Sequence, residues 1–242
     1  MENLQEVLSI KERLCILKEK DKEFRVFGSF THRYELFPPL SENQVETFEI
    51  ENQIKLPAEY RLFLTEIGNG GAGPFYGIIK FEKAIDGYTS VQPFKWTNEA
   101  VVKLDANDFY TEGTVYNGVV EICEQGCGSS NILIINGESY GEIWTDSYGE
   151  LIPEKYSFAR FYNNWLNGSI EKIDNIPLIK RVKVGMPRND LIGIFRKDFR
   201  EIVNDNEKAK TSTMKLIFDN VPALFSIEKG VVSEIIDFSD CI

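Results

Sequence analysis

The 242-residue sequence has little of what membrane, secreted and metal-binding proteins need. It contains one histidine, and no apolar run approaches the roughly 18 residues that cross a bilayer. Its four cysteines lack the spacing of a disulfide framework, and Cys123 and Cys127 would need a remote cysteine to complete a zinc site. The N-terminal segment carries charges throughout, unlike a signal or transit peptide. These features predict a cytoplasmic protein with no membrane segment, no metal and no cofactor.

Basic residues are scarce in the middle of the chain. Residues 26–172 hold 21 acidic and 10 basic side chains and carry the whole net charge of −11, whereas the flanking segments are each balanced. Such a field repels nucleic acid and speeds encounter with basic partners. Basic stretches interleaved with aromatic residues, which nucleic-acid binding favours, are absent from the sequence. The charge therefore predicts a basic protein partner and no nucleic acid, or else it serves solubility alone.

Two short motifs suggest catalysis, but neither has the sequence context that catalysis requires. GNGGAGPFYG (68–77) follows a predicted helix and precedes a predicted strand, the reverse of a phosphate-binding loop, and no Gly-Lys-Ser/Thr follows it. GESYG (137–141) matches a nucleophile elbow around Ser139, yet a strand is predicted after it and the only histidine, His32, lies upstream. We interpret the first motif as a structural corner and the second as a coincidence. The sequence predicts no catalytic residues, and a hydrolase using Ser139 or His32 is a minor alternative.

Helical patterns dominate the first 68 residues. Apolar residues spaced three and four apart predict a helix over about residues 3–20: Val7, Ile10, Leu14 and Leu17. Ser41 and Gln44 have the spacing of a capping box, and Leu40 and Val45 that of a hydrophobic staple, which predicts a second helix start. A third helix is predicted to open at Pro57 and to end at a Gly68 cap. Its predicted core face is Tyr60, Phe63, Leu64 and Ile67.

Strand patterns follow these helices. Short β-branched or aromatic runs predict strands at 75–81 and 119–123, and NILIIN and GEIWTD predict a hairpin around residues 137–140. A closing amphipathic helix is predicted from Phe158, Phe161, Tyr162, Trp165 and Leu166. Helices, then strands, then a closing helix predict an α+β fold with an antiparallel sheet.

The remaining sequence predicts a second, smaller unit. Residues 167–177 resemble a linker, and a helix is predicted with Leu191, Phe195, Phe199 and Ile202 on one face. Three strand-like runs follow it, namely TMKLIF, VPALFSIE and VVSEIIDF. The predicted domains are therefore residues 1–172 and a helix-and-three-strand unit at 173–242. A core of that size is marginal alone, so we expect the second unit to pack on the first.

Several segments together resemble the SUKH superfamily, in its bacterial immunity-protein branch. They are LFPPLSENQVETFE, IKLPAEYRLFLTEIGNGGAGPFYGI, EQGCG, LIINGESYGEIWTD and FARFYNNWL, which cover about residues 24–168. The most specific are Leu56-Pro57, Tyr60, Phe63-Leu64 and the 68–77 corner. The resemblance implies an α+β domain that binds and neutralises a toxin, often a nuclease or deaminase delivered between competing bacteria, without catalytic residues of its own. The related fungal branch implies an intracellular scaffold or regulatory protein instead.

The acidic middle segment supplies candidate residues for contact with a basic toxin. Binding groups often lie in loops on a rigid scaffold, and aromatic anchors carry much of the energy of protein interfaces. The candidate carboxylates form two clusters: Asp105, Asp108 and Glu112, and Glu121 and Glu124. The candidate aromatic anchors are Trp96, Tyr110 and Tyr116. A solvated surface without a partner is the alternative for these carboxylates.

Overall fold

The computed structural model describes residues 2–85, 92–104, 115–195, 199–206, 211–218, 221 and 223–237. The chain forms two compact units. The first contains Met1–Glu19 and Gly28–Leu166, and the second contains Lys20–Phe27 and Asn167–Ile242. Each unit has helices and one antiparallel sheet, which confirms the predicted α+β class.

The helix predicted over about residues 3–20 is confirmed, but it is interrupted at Ser9. Helix α1 spans Glu2–Leu8 and helix α2 spans Ile10–Lys20, with Ser9 between them. The four apolar residues of the predicted face are buried: Val7, Ile10, Leu14 and Leu17. The short helix α3 then spans Ser29–His32.

Helix α4 (Glu42–Glu51) begins where its capping signal predicts. The Ser41 hydroxyl accepts a hydrogen bond from the Gln44 N–H, and the Gln44 side chain accepts one from the Ser41 N–H, so the capping box is confirmed. Leu40 and Val45, the predicted staple pair, are both buried. The local sequence thus specifies this helix start.

Helix α5 (Ala58–Leu62) follows Pro57 and continues into a π-helical turn, Phe63–Ile67. Its predicted core residues are buried, namely Tyr60, Phe63, Leu64 and Ile67. Gly68 is the C-cap as predicted, but its φ of 176° is extended rather than left-handed. The helix therefore ends through the wider π-turn, in which the Gly68 N–H donates to the Phe63 carbonyl at 2.9 Å.

The five-stranded sheet of the first unit has the order β1-β5-β4-β3-β2. Its strands are β1 (Val102–Lys103), β2 (Val119–Gly126), β3 (Ser129–Ile134), β4 (Glu142–Ser147) and β5 (Glu150–Ser157). The predicted strand at 119–123 and the NILIIN–GEIWTD hairpin are confirmed. Strands β1 and β5 are additional to those predicted from the sequence.

The predicted strand at 75–81 is wrong. Ile78 forms only isolated bridges to Gly71 and Cys123, and residues Phe81–Ala84 form the short helix α6. The Gly77 N–H donates to the Pro74 carbonyl, which places a turn inside the apolar run. The Asn69 side chain accepts from the Phe81 N–H at 2.8 Å and so caps α6. Turn and cap together override the β propensity of the segment.

The glycine-rich segment 68–77 is a corner where three backbone segments cross. Gly71 and Ile78 exchange both backbone hydrogen bonds, at 2.8 and 2.7 Å, and the Ala72 N–H donates to the Glu35 carbonyl at 2.7 Å. Gly71 has a φ of +106°, and a Cβ at this position would lie 2.4 Å from the Glu35 oxygen. No side chain fits there, which explains glycine at this position.

The predicted linker at 167–177 is also wrong. Helix α7 runs over Phe158–Ile179 and includes Pro177 near its end. Ile170, Ile173 and Ile176 continue the apolar spacing of the preceding residues, so the helical pattern does not stop at Gly168. In the first unit, Phe158 packs on Tyr60 and Phe63, with ring centroids 5.1 Å apart in each pair.

The second unit has a four-stranded sheet rather than the three strands predicted. Helix α8 (Arg188–Phe195) precedes β6 (Phe199–Asn206), β7 (Thr211–Phe218), β8 (Ala223–Glu228) and β9 (Val231–Asp237), in the order β6-β7-β8-β9. Leu191 and Phe195 are buried as predicted. Phe199 and Ile202 do not continue that helix, because their segment pairs with β7 along its full length. The apolar residues at 199, 202 and 203 have helical spacing, so the pairing with β7, and not the local pattern, makes this segment a strand.

Candidate partner-binding face

Strand register brings Glu121 and Glu124 to one face of the five-stranded sheet. Glu121 lies opposite Ile132, and Glu124 lies opposite Ser130. Side chains three residues apart in a regular strand point to opposite faces. A register shift between Glu121 and Cys123 adds one residue to β2, so the side chains of Glu121 and Glu124 point to the same face. Glu121 is half-buried and Glu124 is exposed.

The aromatic candidates Trp96 and Tyr116 pack on the same face. They are half-buried against an apolar cluster that includes Ile132 and Trp144. Ile132 lies opposite both Glu121 and Trp144, so all three side chains share this face. The structure therefore brings together four of the eight residues selected from the sequence.

Asp146 joins this face and was not selected from the sequence. The row Glu124, Ser130 and Asp146 runs across three neighbouring strands, which places two carboxylates about 10 Å apart along the sheet. The Tyr116 hydroxyl donates to the Asp146 carboxylate at 2.6 Å. Burial raises the pKa of Asp146, and the Tyr116 hydrogen bond partly opposes that shift. We call Trp96, Tyr116, Glu121, Glu124 and Asp146 the acidic face.

The other selected residues cannot be placed on this face. Asp105, Asp108, Tyr110 and Glu112 lie outside the described residues. The described segments that flank them end at Leu104 and resume at Val115, and both of these residues belong to or pack on the cluster beneath the acidic face. The first carboxylate cluster therefore stays a sequence prediction.

The glycine corner offers few donors to a phosphate. The N–H groups of Asn69, Gly71, Ala72 and Gly77 all donate to backbone carbonyls of the fold. The Tyr162 hydroxyl also donates to the Ala72 carbonyl, at 2.6 Å. These bonds support the interpretation of residues 68–77 as a structural corner, because a phosphate cradle needs N–H groups that point at the ligand.

Ser139 and His32 lie in buried positions with structural contacts. The Ser139 hydroxyl donates to the Trp96 carbonyl at 3.4 Å, and strand β4 follows this serine where a nucleophile elbow needs a helix. His32 Nδ1 accepts from the Tyr34 N–H at 3.1 Å. Burial lowers the pKa of His32 to about 4, so the imidazole is neutral at pH 7.

The cysteines considered for a metal site have different environments. Cys123 is buried with its Sγ 3.0 Å from the Pro74 carbonyl oxygen, and burial raises the pKa of its thiol. Cys127 is exposed. Within the described residues, no group of three or more His, Cys, Asp and Glu side chains could hold a metal ion.

The model of the SMI1/KNR4 family (SUKH-1) matches residues 39–164, slightly more than half of the chain. The chain belongs to the SMI1/KNR4 family. No curated protein and no solved structure matches it.

This SUKH-1 match confirms the resemblance to the SUKH superfamily. It includes α4, the glycine corner, the five-stranded sheet and the whole acidic face. Helix α8 and the four-stranded sheet lie outside the matched residues. In the part of the chain that the structure describes, no helix is long and apolar enough to cross a membrane.

Proposed function

We propose that this SUKH-1 protein is a non-enzymatic, cytoplasmic immunity protein that binds and neutralises a basic toxin. The toxin would be a nuclease or deaminase of an interbacterial toxin system, as the family resemblance implies. The observation that carries the proposal is the acidic face, where Glu124 and Asp146 share one row of the sheet beside Tyr116. Family membership and the net charge of −11 in the middle of the chain support it.

The two kinds of side chain on this face have different tasks in binding. Trp96 and Tyr116 are half-buried, so holding each ring in place for binding costs little conformational entropy. Glu121 and Glu124 supply the negative potential that attracts a basic partner and raises the association rate. Asp105, Asp108 and Glu112 would extend this potential along the segment between Leu104 and Val115.

The test is the association rate between the protein and a toxin encoded beside its gene. The double variant Glu121→Lys/Glu124→Lys reverses two charges of the acidic face, and we expect it to slow association by about tenfold at low salt. The triple variant Asp105→Lys/Asp108→Lys/Glu112→Lys should act in the same direction. For the unaltered protein, the association rate should fall as salt rises, while the dissociation rate changes little.

The matched control is Glu12→Lys/Glu51→Lys, which changes the net charge equally at exposed positions of α2 and α4. Its association rate should stay close to that of the unaltered protein. Binding that is insensitive to salt and to both acidic-face variants would exclude the acidic face as the interface. Absence of any toxin gene nearby, with capture of a cellular partner instead, would favour the scaffold alternative.

A further inference from the structure

A cleft lies between α4 and the loop that joins β3 to β4. Its lining contains no residue of the acidic face. It has a volume of about 540 Å³, and its lining includes Glu46, Glu49, Ile50, Lys55, Asn136 and Tyr140. Tyr140 also lines a neighbouring cleft of about 380 Å³ that reaches Pro57 and β5. We call the two together the Tyr140 cleft.

Hydrogen bonds hold the walls of this cleft in place. The Tyr140 hydroxyl donates to the Lys55 carbonyl at 3.2 Å, which joins the β3–β4 loop to the segment after α4. Glu49 is only 3% exposed and accepts from the Leu56 N–H at 2.9 Å and from Arg61 Nε at 3.3 Å. The cleft is therefore preformed, so binding would need little ordering of its walls.

Two large apolar side chains at the cleft are unusually exposed. Ile50 is 69% exposed and Tyr140 is 47% exposed, although neighbouring residues such as Ile54 and Ile135 are buried. An aliphatic stem laid between Ile50 and the Tyr140 ring would remove apolar surface from water. Lysine and arginine side chains have such stems below a charged group.

Negative charge predominates around the same side chains. The lining contains four carboxylates, Glu46, Glu49, Glu59 and Glu142, and two cations, Lys55 and Lys155. Burial, and then the charge of Glu49, raise the pKa of Tyr140. Glu142 accepts from the Asn98 amide at 2.7 Å through one oxygen, while its other, buried oxygen has no hydrogen-bond partner among the described residues.

We propose that the Tyr140 cleft binds an extended segment of a partner protein through an arginine or lysine side chain. The stem packs between Ile50 and the Tyr140 ring, and the cation meets the field of Glu46 and Glu142. A cation near the face of a tyrosine gains further electrostatic attraction. This site goes beyond the proposed toxin contact, because it uses separate residues and does not require the partner to be a toxin.

The experiment uses the full chain and a capped hexapeptide of alternating leucine and arginine as the probe. Backbone NMR signals of Asn136, Gly137 and Tyr140 should shift on titration, and the peptide with glutamate in place of arginine should leave them unmoved. The variants Tyr140→Ala and Ile50→Ser should each weaken binding at least fivefold. Tyr148→Ala is the matched control, because Tyr148 is 78% exposed and does not line the cleft.

Ile50→Ser keeps the test valid if Tyr140→Ala unfolds, because Ile50 is an exposed side chain. Equal weakening by Tyr148→Ala, or equal binding of the glutamate peptide, would overturn the proposal. Shifts confined to Glu121, Glu124 and their neighbours would also overturn it while leaving the acidic face intact. Conversely, loss of toxin binding in acidic-face variants with unchanged peptide binding would separate the two sites.

Discussion

The two units differ in how far apart in sequence their structural contacts lie. In the second unit, β6, β7, β8 and β9 follow one another in space as they do along the chain. The first unit also contains a run of neighbouring strands, but its glycine corner joins Glu35, Gly71 and Ile78, and Phe158 packs on Tyr60 about a hundred residues away. The core of the first unit thus depends on distant segments, whereas the sheet of the second unit is built from successive strands, although that unit also contains Lys20–Phe27.

Two glycines with positive φ, one in each unit, show the same contrast between distant and local contacts. Gly71 and Gly230 have φ values of +106° and +80°. A Cβ on Gly71 would lie within 2.4 Å of a backbone oxygen, whereas a Cβ on Gly230 would have no atom within 4 Å. In the β8–β9 turn, the positive φ alone explains the glycine. In the glycine corner, the positive φ and the lack of room for a Cβ both require it.

The largest expected effect comes from separating the two parts at residue 172. We propose that residues 1–172 fold alone, since the buried side chains of α7 that complete the first core lie in Phe158–Leu166. A fragment of residues 173–242 should be unfolded or marginal, because so small a chain buries too little apolar surface. Circular dichroism melts of both fragments measure this. If the 1–172 fragment were insoluble and the 173–242 fragment folded, the prediction that the second part depends on the first would be wrong.

The next effect compares Gly71→Ala with Gly230→Ala. We expect Gly71→Ala to lower the free energy of unfolding by about 4 kcal/mol, since it adds backbone strain and a collision with the Glu35 carbonyl. Gly230→Ala should cost about 1 kcal/mol, the price of a left-handed backbone alone. Denaturant titration measures both values. Similar losses for the two variants would show that the corner relaxes around a methyl group.

Local signals explain which parts of the fold the sequence predicts. The capping box at Ser41, the apolar face from Val7 to Leu17 and the β3–β4 hairpin each depend on residues close in the chain, and all three are confirmed. Segment 75–81 had strand composition, but Asn69 caps Phe81 from twelve residues away. Such a contact has no signature in the segment itself.

The candidate site was predicted in part for the same reason. The sequence composition shows acidic and aromatic residues near β2. Strand register places Glu121 and Glu124 on one face, and Trp96 and Tyr116 pack on the apolar cluster of that face. Asp146 was missed because its row with Glu124 passes through Ser130 on a third strand. The Tyr140 cleft was missed because its walls come from α4 and a loop some ninety residues later.

A further predicted effect concerns pH and belongs to the first unit, which contains the only histidine of the chain. His32 has a folded pKa of about 4, lowered by burial, against an ordinary value of 6.5. Between these values the unfolded chain binds a proton that the folded protein does not, so stability falls as pH falls from 6.5 to 4. This pKa shift corresponds to a loss of folding stability of about 3 kcal/mol. The loss is absent at pH 7 and is complete below about pH 4.

Two measurements isolate this contribution from that of the carboxylates. The single imidazole gives one unambiguous NMR signal, which should titrate near pH 4, and a midpoint near 6.5 would contradict the buried, neutral assignment. In His32→Gln, the unfolding free energy should fall less as pH falls from 6.5 to 4 than it does in the unaltered protein, whatever its absolute stability. Asp146, whose folded pKa is raised, contributes with the opposite sign and is present in both proteins. The difference between the two pH profiles therefore reports His32, and equal slopes would show that His32 carries no such penalty.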